Sequence, residues 1–230
     1  MRGRRLFAEL LGTTILALGI CLSEGDPYAA GASLWAGIIG TGFVSGASFN
    51  PAITTAVILV GIAKGKLSKT EFLEHLVYYV CHFLGAFLGS MLSWAIRKST
   101  FRLAPPSDDG PAILAEACAT GVLVLVALIG GELKDSNFIG TLAVSVALFE
   151  GIYTVGAISG GCLNPAIGVG ANAADTLNMG VYRVRNIWIY LLGPLCGSLI
   201  ATVSYLIIKP ELDFIYAEKE KQELQYKEFI

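Results

Sequence analysis

Gly46-Ala47-Ser48-Phe49-Asn50-Pro51-Ala52 and Gly161-Cys162-Leu163-Asn164-Pro165-Ala166 share an Asn-Pro-Ala triplet, the copies 114 residues apart in a chain of 230. Each half of the chain therefore carries one copy. Asn is a favoured helix N-cap and Pro fits the first helical position, so each triplet reads as a helix start. Both starts lie inside apolar sequence. The Asn side-chain oxygen is expected to accept a bond from a backbone N–H of the first turn. Its amide NH2 would then face away from the helix as a free donor. Two such donors, each at the positive end of a helix dipole, would face one passage.

Working outward, each triplet opens a short apolar run, residues 53–63 and the stretch ending at residue 173. The first run is about 11 residues, roughly 16 Å of helix, or half a bilayer core. Such a segment must enter and leave on one side. Around these two half-helices the apolar runs are long. Residues 6–22, 30–45 and 71–96 read as three spans; residues 112–130, 138–157 and 186–208 read as three more. Residues 23–28 form a short acidic turn, 97–111 a polar loop between the halves, 174–185 a further loop, and 211–230 a charged tail, helical or disordered. The chain is 54% hydrophobic and 15% charged, far from a soluble domain's composition. A polytopic, all-α membrane protein follows. The basic start, residues 1–5, precedes an apolar run without a clear cleavage site and reads as part of the first span.

Three spans and one half-helix occur twice, and an odd number of spans per half gives the halves opposite orientation. The fold expected is a single membrane domain over residues 1–230: six transmembrane helices and two re-entrant half-helices in an inverted repeat. Its repeats cover roughly residues 5–100 and 111–209, with the tail at 210–230. The repeat extends beyond the triplets. Ala8-Glu9 matches Ala115-Glu116, and the pair Gly85 and Gly89 matches Gly193 and Gly197 at the spacing that permits close helix approach. Gly12, Gly37 and Gly121 offer further tight helix contacts.

With the N-terminus inside, one side holds Arg2, Arg4, Arg5, Lys64, Lys66, Lys69, Lys134, Lys209, Lys219, Lys221 and Lys227. The other holds Arg97, Lys98, Arg102, Arg183 and Arg185. Eleven against five places both termini on the cytoplasmic-type side. The five cysteines are odd in number and lie in apolar sequence, so they form no disulfide framework and no zinc spacing. Cys162, two residues before Asn164, either faces the passage or points into the protein. No nucleophile–base pair, metal cluster or phosphate loop appears, so neither an enzyme nor a cofactor is expected. No basic nucleic-acid patch is visible.

This pattern resembles the aquaporin and aquaglyceroporin (major intrinsic protein) family over nearly the whole chain. The residues that carry the resemblance are 8–13, 45–52, Gly85-Ala86, 159–166, and Trp188-Ile189-Tyr190 with Gly193-Pro194. The resemblance implies half-helices that dip in from opposite faces and meet at the midplane. Asn50, Pro51, Ala52, Asn164, Pro165 and Ala166 would then line the pore, with both Asn amides donating to a passing solute. The positive helix ends would repel cations and interrupt a proton-conducting water chain. It also implies that Glu9 and Glu116 brace the re-entrant loops and that four copies assemble, each with its own pore. His82 either braces the same loops or is a satisfied core histidine.

The outer constriction departs from the family pattern. The family's usual Arg after the second triplet is Ile167 here, and counting from each triplet puts the other three positions at Ala30, Ile152 and Gly161. This filter is apolar, uncharged and fairly wide. Without the arginine's donors and charge, fast and selective water conduction is not expected. Such a wall suits small neutral solutes with some hydrophobic surface, such as glycerol and other polyols, ammonia or dissolved gases, or equally could dewet and close. Glu150, within the fifth span, faces the pore, pairs with a neighbouring subunit or marks a shifted register. Two functions are therefore expected: a passive channel for water or small uncharged solutes, or a structural subunit of a larger membrane assembly that keeps the fold and conducts little.

Overall fold

The computed structural model describes residues 2–132, 137–179 and 186–228. Lys134, Arg183 and Arg185, counted above for orientation, lie outside the described residues. Among the described residues eight helices follow one another: α1 (Arg2–Leu22), α2 (Pro27–Ser45), α3 (Pro51–Ala63), α4 (Lys69–Arg97), α5 (Asp109–Gly130), α6 (Asn137–Ser159), α7 (Pro165–Met179) and α8 (Ile187–Glu228). Five of the described stretches are long and apolar enough to cross a bilayer: α1, α4, α5, Phe138–Ser159 of α6 and Ile187–Ile215 of α8. The sixth, α2, has 19 residues, about 28 Å of helix. Its glycines and hydroxyl residues dilute its apolarity.

The helix starts follow local capping chemistry. Asp26 accepts from the Ala29 N–H at 2.8 Å, with Pro27 in the first turn of α2. Ser68 and Glu71 form a reciprocal capping box at α4, so both orphan donors of that terminus are met.

The inverted repeat is visible in the packing. α1 packs on α4 and α2, as α5 packs on α8 and α6. Each half-helix crosses over: α3 lies against α8, and α7 against α4. α2 meets its counterpart α6 between the halves. The paired glycines make two of these crossings close, α1 on α4 and α5 on α8. A Cβ on Gly85 would stand 2.7 Å from the Leu10 carbonyl oxygen, and one on Gly89 2.6 Å from that of Thr14. In the second half a Cβ on Gly193 would meet the Glu116 Cβ at 2.5 Å, and one on Gly197 the Ala117 oxygen at 2.4 Å. Gly12 and Gly37 both make room for the Phe49 ring, so these two serve contacts within the chain.

Two elements run longer than their sequence suggests. α7 continues to Met179, through the first half of the loop expected over residues 174–185. Three of its polar side chains bond back to the helix itself. Asn172, Thr176 and Asn178 donate to the carbonyls of Gly168, Asn172 and Ala174 at 2.9, 2.7 and 2.7 Å, a back-bond one turn earlier that these side chains tolerate. α8 joins the last span and the tail in one helix of 42 residues. At 1.5 Å per residue this is about 63 Å, twice a bilayer core, so its charged end projects beyond it.

Candidate functional site

The two Asn-Pro-Ala triplets meet tip to tip. Asn50 caps α3 and its Oδ1 accepts from the Ala52 N–H at 2.9 Å. Asn164 does the same for Ala166 at 3.0 Å. Pro51 and Pro165 open their helices, and Ala52 and Ala166 are fully buried. The amide nitrogens behave differently from the free donors expected. Asn50 Nδ2 donates to the Leu163 carbonyl at 2.8 Å, and Asn164 Nδ2 to the Phe49 carbonyl at 3.0 Å. Each amide spends one hydrogen on the residue preceding the other Asn and keeps one.

That reciprocity depends on backbone shape. Phe49 and Leu163 have φ of 46° and 53°, the left-handed region that side chains with a Cβ rarely adopt. The turn sends each N–H one way and each C=O the other. The carbonyls go to the opposite Asn, and the N–H groups go to a buried carboxylate. Glu9, on α1, accepts from Ser48 N at 3.2 Å and Phe49 N at 2.9 Å. Glu116, on α5, accepts from Cys162 N and Leu163 N, each at 2.8 Å. Both glutamates are fully buried, and charge-assisted bonds of this kind offset part of their desolvation.

The two braces differ in their third partner. His82, buried on α4, stands 2.8 Å from Glu9 through Nε2. Glu116 instead accepts from the Ser159 hydroxyl at 2.7 Å, and the Tyr190 hydroxyl donates to the Ser159 carbonyl at 2.6 Å. Cys162 is buried, and its thiol donates to the Asn164 carbonyl at 3.0 Å. It points into the protein.

The four positions at which an outer filter is expected are apolar and packed. Ala30, Ile152 and Ile167 belong to one buried cluster, and Gly161 backs on Ile152 so closely that a Cβ would stand 3.0 Å from its carbonyl oxygen. Glu150 is exposed on α6, whereas Ile152, two residues on, is buried.

A cavity of about 640 Å³ lies on the other side of the triplets. It is lined by α2, by Gly46, Ala47 and Ser48, by one face of α3 from Ile53 to Lys64, and by the adjoining ends of α5 and α6. None of the four filter positions is among its lining residues. The lining is apolar along α3 and carries Lys64, Glu132 and Tyr205 at its far end. Burial and the nearby Lys209 ammonium pull the Lys64 pKa down from the ordinary lysine value, and Asp213 opposes them. Lys64 entered the sequence reading only as a charge on one side; nothing local to it marks a cavity.

A family model described as "Major intrinsic protein" matches residues 2–205. The chain belongs to the major intrinsic protein family. It is 32% identical over 211 residues to "Probable aquaporin AqpM" of Archaeoglobus fulgidus, covering 85% of this chain and 82% of that protein. To NIP4-1 of Arabidopsis thaliana it is 31% identical over 207 residues, which are 87% of this chain and 66% of that longer relative. Its fold is similar to an aquaglyceroporin structure from Plasmodium falciparum, with a TM-score of 0.75, 24% identity, and coverage of 93% of this chain and all of that one. With its apolar helices, this family membership makes the protein an integral, multi-pass membrane protein.

Proposed function

We propose that this protein is a passive channel for water and small uncharged solutes, glycerol, ammonia or similar, with an apolar outer filter at Ala30, Ile152, Gly161 and Ile167. The observation that carries this reading is the tip-to-tip meeting of two half-helices, with one hydrogen of each Asn amide uncommitted. Both helix ends present positive dipoles at one point, which disfavours a cation there and leaves neutral hydroxyl-bearing solutes as natural guests. The AqpM and P. falciparum relatives are described as an aquaporin and an aquaglyceroporin, in keeping with such a guest. The chemistry needed is transit alone, without reaction or cofactor.

A second reading is an aquaporin-fold structural subunit of a membrane assembly. Glu150 favours it: an exposed carboxylate within a span is costly against lipid and would be met by a neighbouring subunit.

Stopped-flow osmotic measurement on reconstituted vesicles separates the two. The channel reading expects water and glycerol flux above empty vesicles. It also expects Ile167→Arg, in protein that elutes at the parent's oligomer size, to raise the water-to-glycerol ratio several-fold. An arginine there narrows the filter and adds a fixed charge with donors. Negligible flux before and after the substitution selects the structural subunit.

A further inference from the structure

The cavity is apolar over most of its wall, and its ionisable groups gather at the end farthest from the triplets. Three helices converge there. Lys64 caps the C-terminus of α3, Glu132 follows α5, and Tyr205 reaches in from α8. Lys64 Nζ donates to the Tyr205 hydroxyl at 3.0 Å, sits 4.7 Å from the centre of its ring and lies 3.9 Å from the Glu132 carboxylate. The Tyr205 hydroxyl donates to Glu132, and Lys209 pairs with the other Glu132 oxygen. Lys209 also pairs with Asp213 at 2.6 Å. One continuous set of side-chain bonds thus gathers at this end of the cavity.

Backbone geometry holds these groups in place. Gly130 and Gly140 let α5 and α6 touch backbone to backbone: a Cβ on Gly140 would stand 2.6 Å from the Gly130 oxygen. That contact fixes the end of α5 two residues before Glu132. Tyr205 is almost fully buried, so its hydroxyl cannot swing out of line. Glu132 is met by Lys209 from behind, leaving Lys64 as the cation on the lining itself.

We propose that Lys64, Glu132 and Tyr205 form a specificity-determining ring at this mouth, admitting small neutral polyhydroxy solutes by size and rejecting cations. The proposal rests on the channel reading above and assigns a task that the uncharged filter position, Ile167, does not perform. A charge at the end of an apolar-walled passage acts strongly because little water screens it. The ring also offers matched partners. A solute hydroxyl can accept from the Lys64 ammonium and donate to Glu132 while the Lys64–Tyr205 bond opens, so a polyol passes without losing its hydrogen bonds.

The full chain in vesicles tests this. Lys64→Met keeps the stem over the Tyr205 ring and removes the charge; Tyr205→Phe keeps the charge and removes the hydroxyl. Both are expected to raise xylitol flux relative to water at least threefold. Only Lys64→Met is expected to raise potassium leak, by tenfold or more. A simple staple between helices would move both variants alike, so equal potassium leak, or unchanged xylitol-to-water ratios, overturns the ring. A readout independent of flux uses Val57→Cys, on the cavity wall, labelled with cationic and anionic methanethiosulfonates and corrected for the parent's own cysteines. Adding Lys64→Met should raise the cationic-to-anionic rate ratio at least threefold; an unchanged ratio overturns the ring. A parent that passes no solute removes the channel reading, and the labelling ratio then still decides whether the ring selects by charge.

Discussion

The Asn amides show what one residue's reading captures and what it misses. Asn50 and Asn164 announce helix starts because the cap is a local bond, made within two residues. Their bonds to Leu163 and Phe49 join positions 113 and 115 apart in sequence, and no local pattern encodes a partner so distant. Phe49 and Leu163 take left-handed backbone without being glycine, so their composition gave no sign of the turn. Glu116 is where this arrangement is most exposed to mutation. It accepts two backbone N–H bonds and one hydroxyl bond through two oxygens. Glu116→Gln replaces one acceptor by a donor that faces an N–H, leaving a buried donor unmet at a cost of about 1–3 kcal/mol. The expected outcome is a lower unfolding temperature in detergent and loss of flux in vesicles. Glu116→Gln with parental stability and parental flux would show that the carboxylate does not hold the loop.

At the scale of elements, apolar length and glycine spacing made the spans legible, and polar content hid the rest. Residues 174–179 read as loop because Asn and Thr usually compete with helix; here they bond back to the turn before. The cavity mouth was illegible for another reason: Lys64, Glu132 and Tyr205 sit on three elements and share no motif. The Gly85/Gly89 and Gly193/Gly197 pairs, by contrast, carried their meaning in their spacing. Gly197 gives the sharpest test. A methyl there would stand 2.4 Å from the Ala117 carbonyl oxygen, whereas at Gly156 on α6 nothing lies within 4 Å. Gly197→Ala must push α8 away from α5, and overpacking of this kind costs about 1–3 kcal/mol. Gly156→Ala meets no clash and gains helix propensity, up to about 1 kcal/mol. The two variants, compared by thermal unfolding in one detergent, should move in opposite directions. Equal shifts would mean that the α5–α8 crossing is looser than its backbone distances indicate.

At the scale of the whole molecule, charge divides the chain into two ends. Arg5 pairs with Glu74 at 3.1 Å, bringing the start of α1 to the start of α4. Lys64 and Lys209 share Glu132, bringing the turn after α3 to the part of α8 that leads into the tail. At the opposite ends of α1 and α4, Arg97 pairs with Glu24, and the Asn186 amide before α8 reaches Asp109 at the start of α5 at 3.4 Å. Cytoplasmic loops retain positive charge, so the excess of Lys and Arg on the side of the termini yields an expected direction in the membrane. We therefore expect both termini on the cytoplasmic-type side and the 97–111 loop on the other. Ser107 is the place to measure it, since it lies in that loop and no cysteine stands nearby in sequence. The Ser107→Cys variant in intact cells should react with a membrane-impermeant maleimide added outside, while a tag at residue 230 should be cut only after permeabilisation. Labelling of the Ser107→Cys thiol only after permeabilisation, together with external cleavage of the tag, would reverse the orientation and place the cavity mouth bearing Lys64 and Glu132 outside.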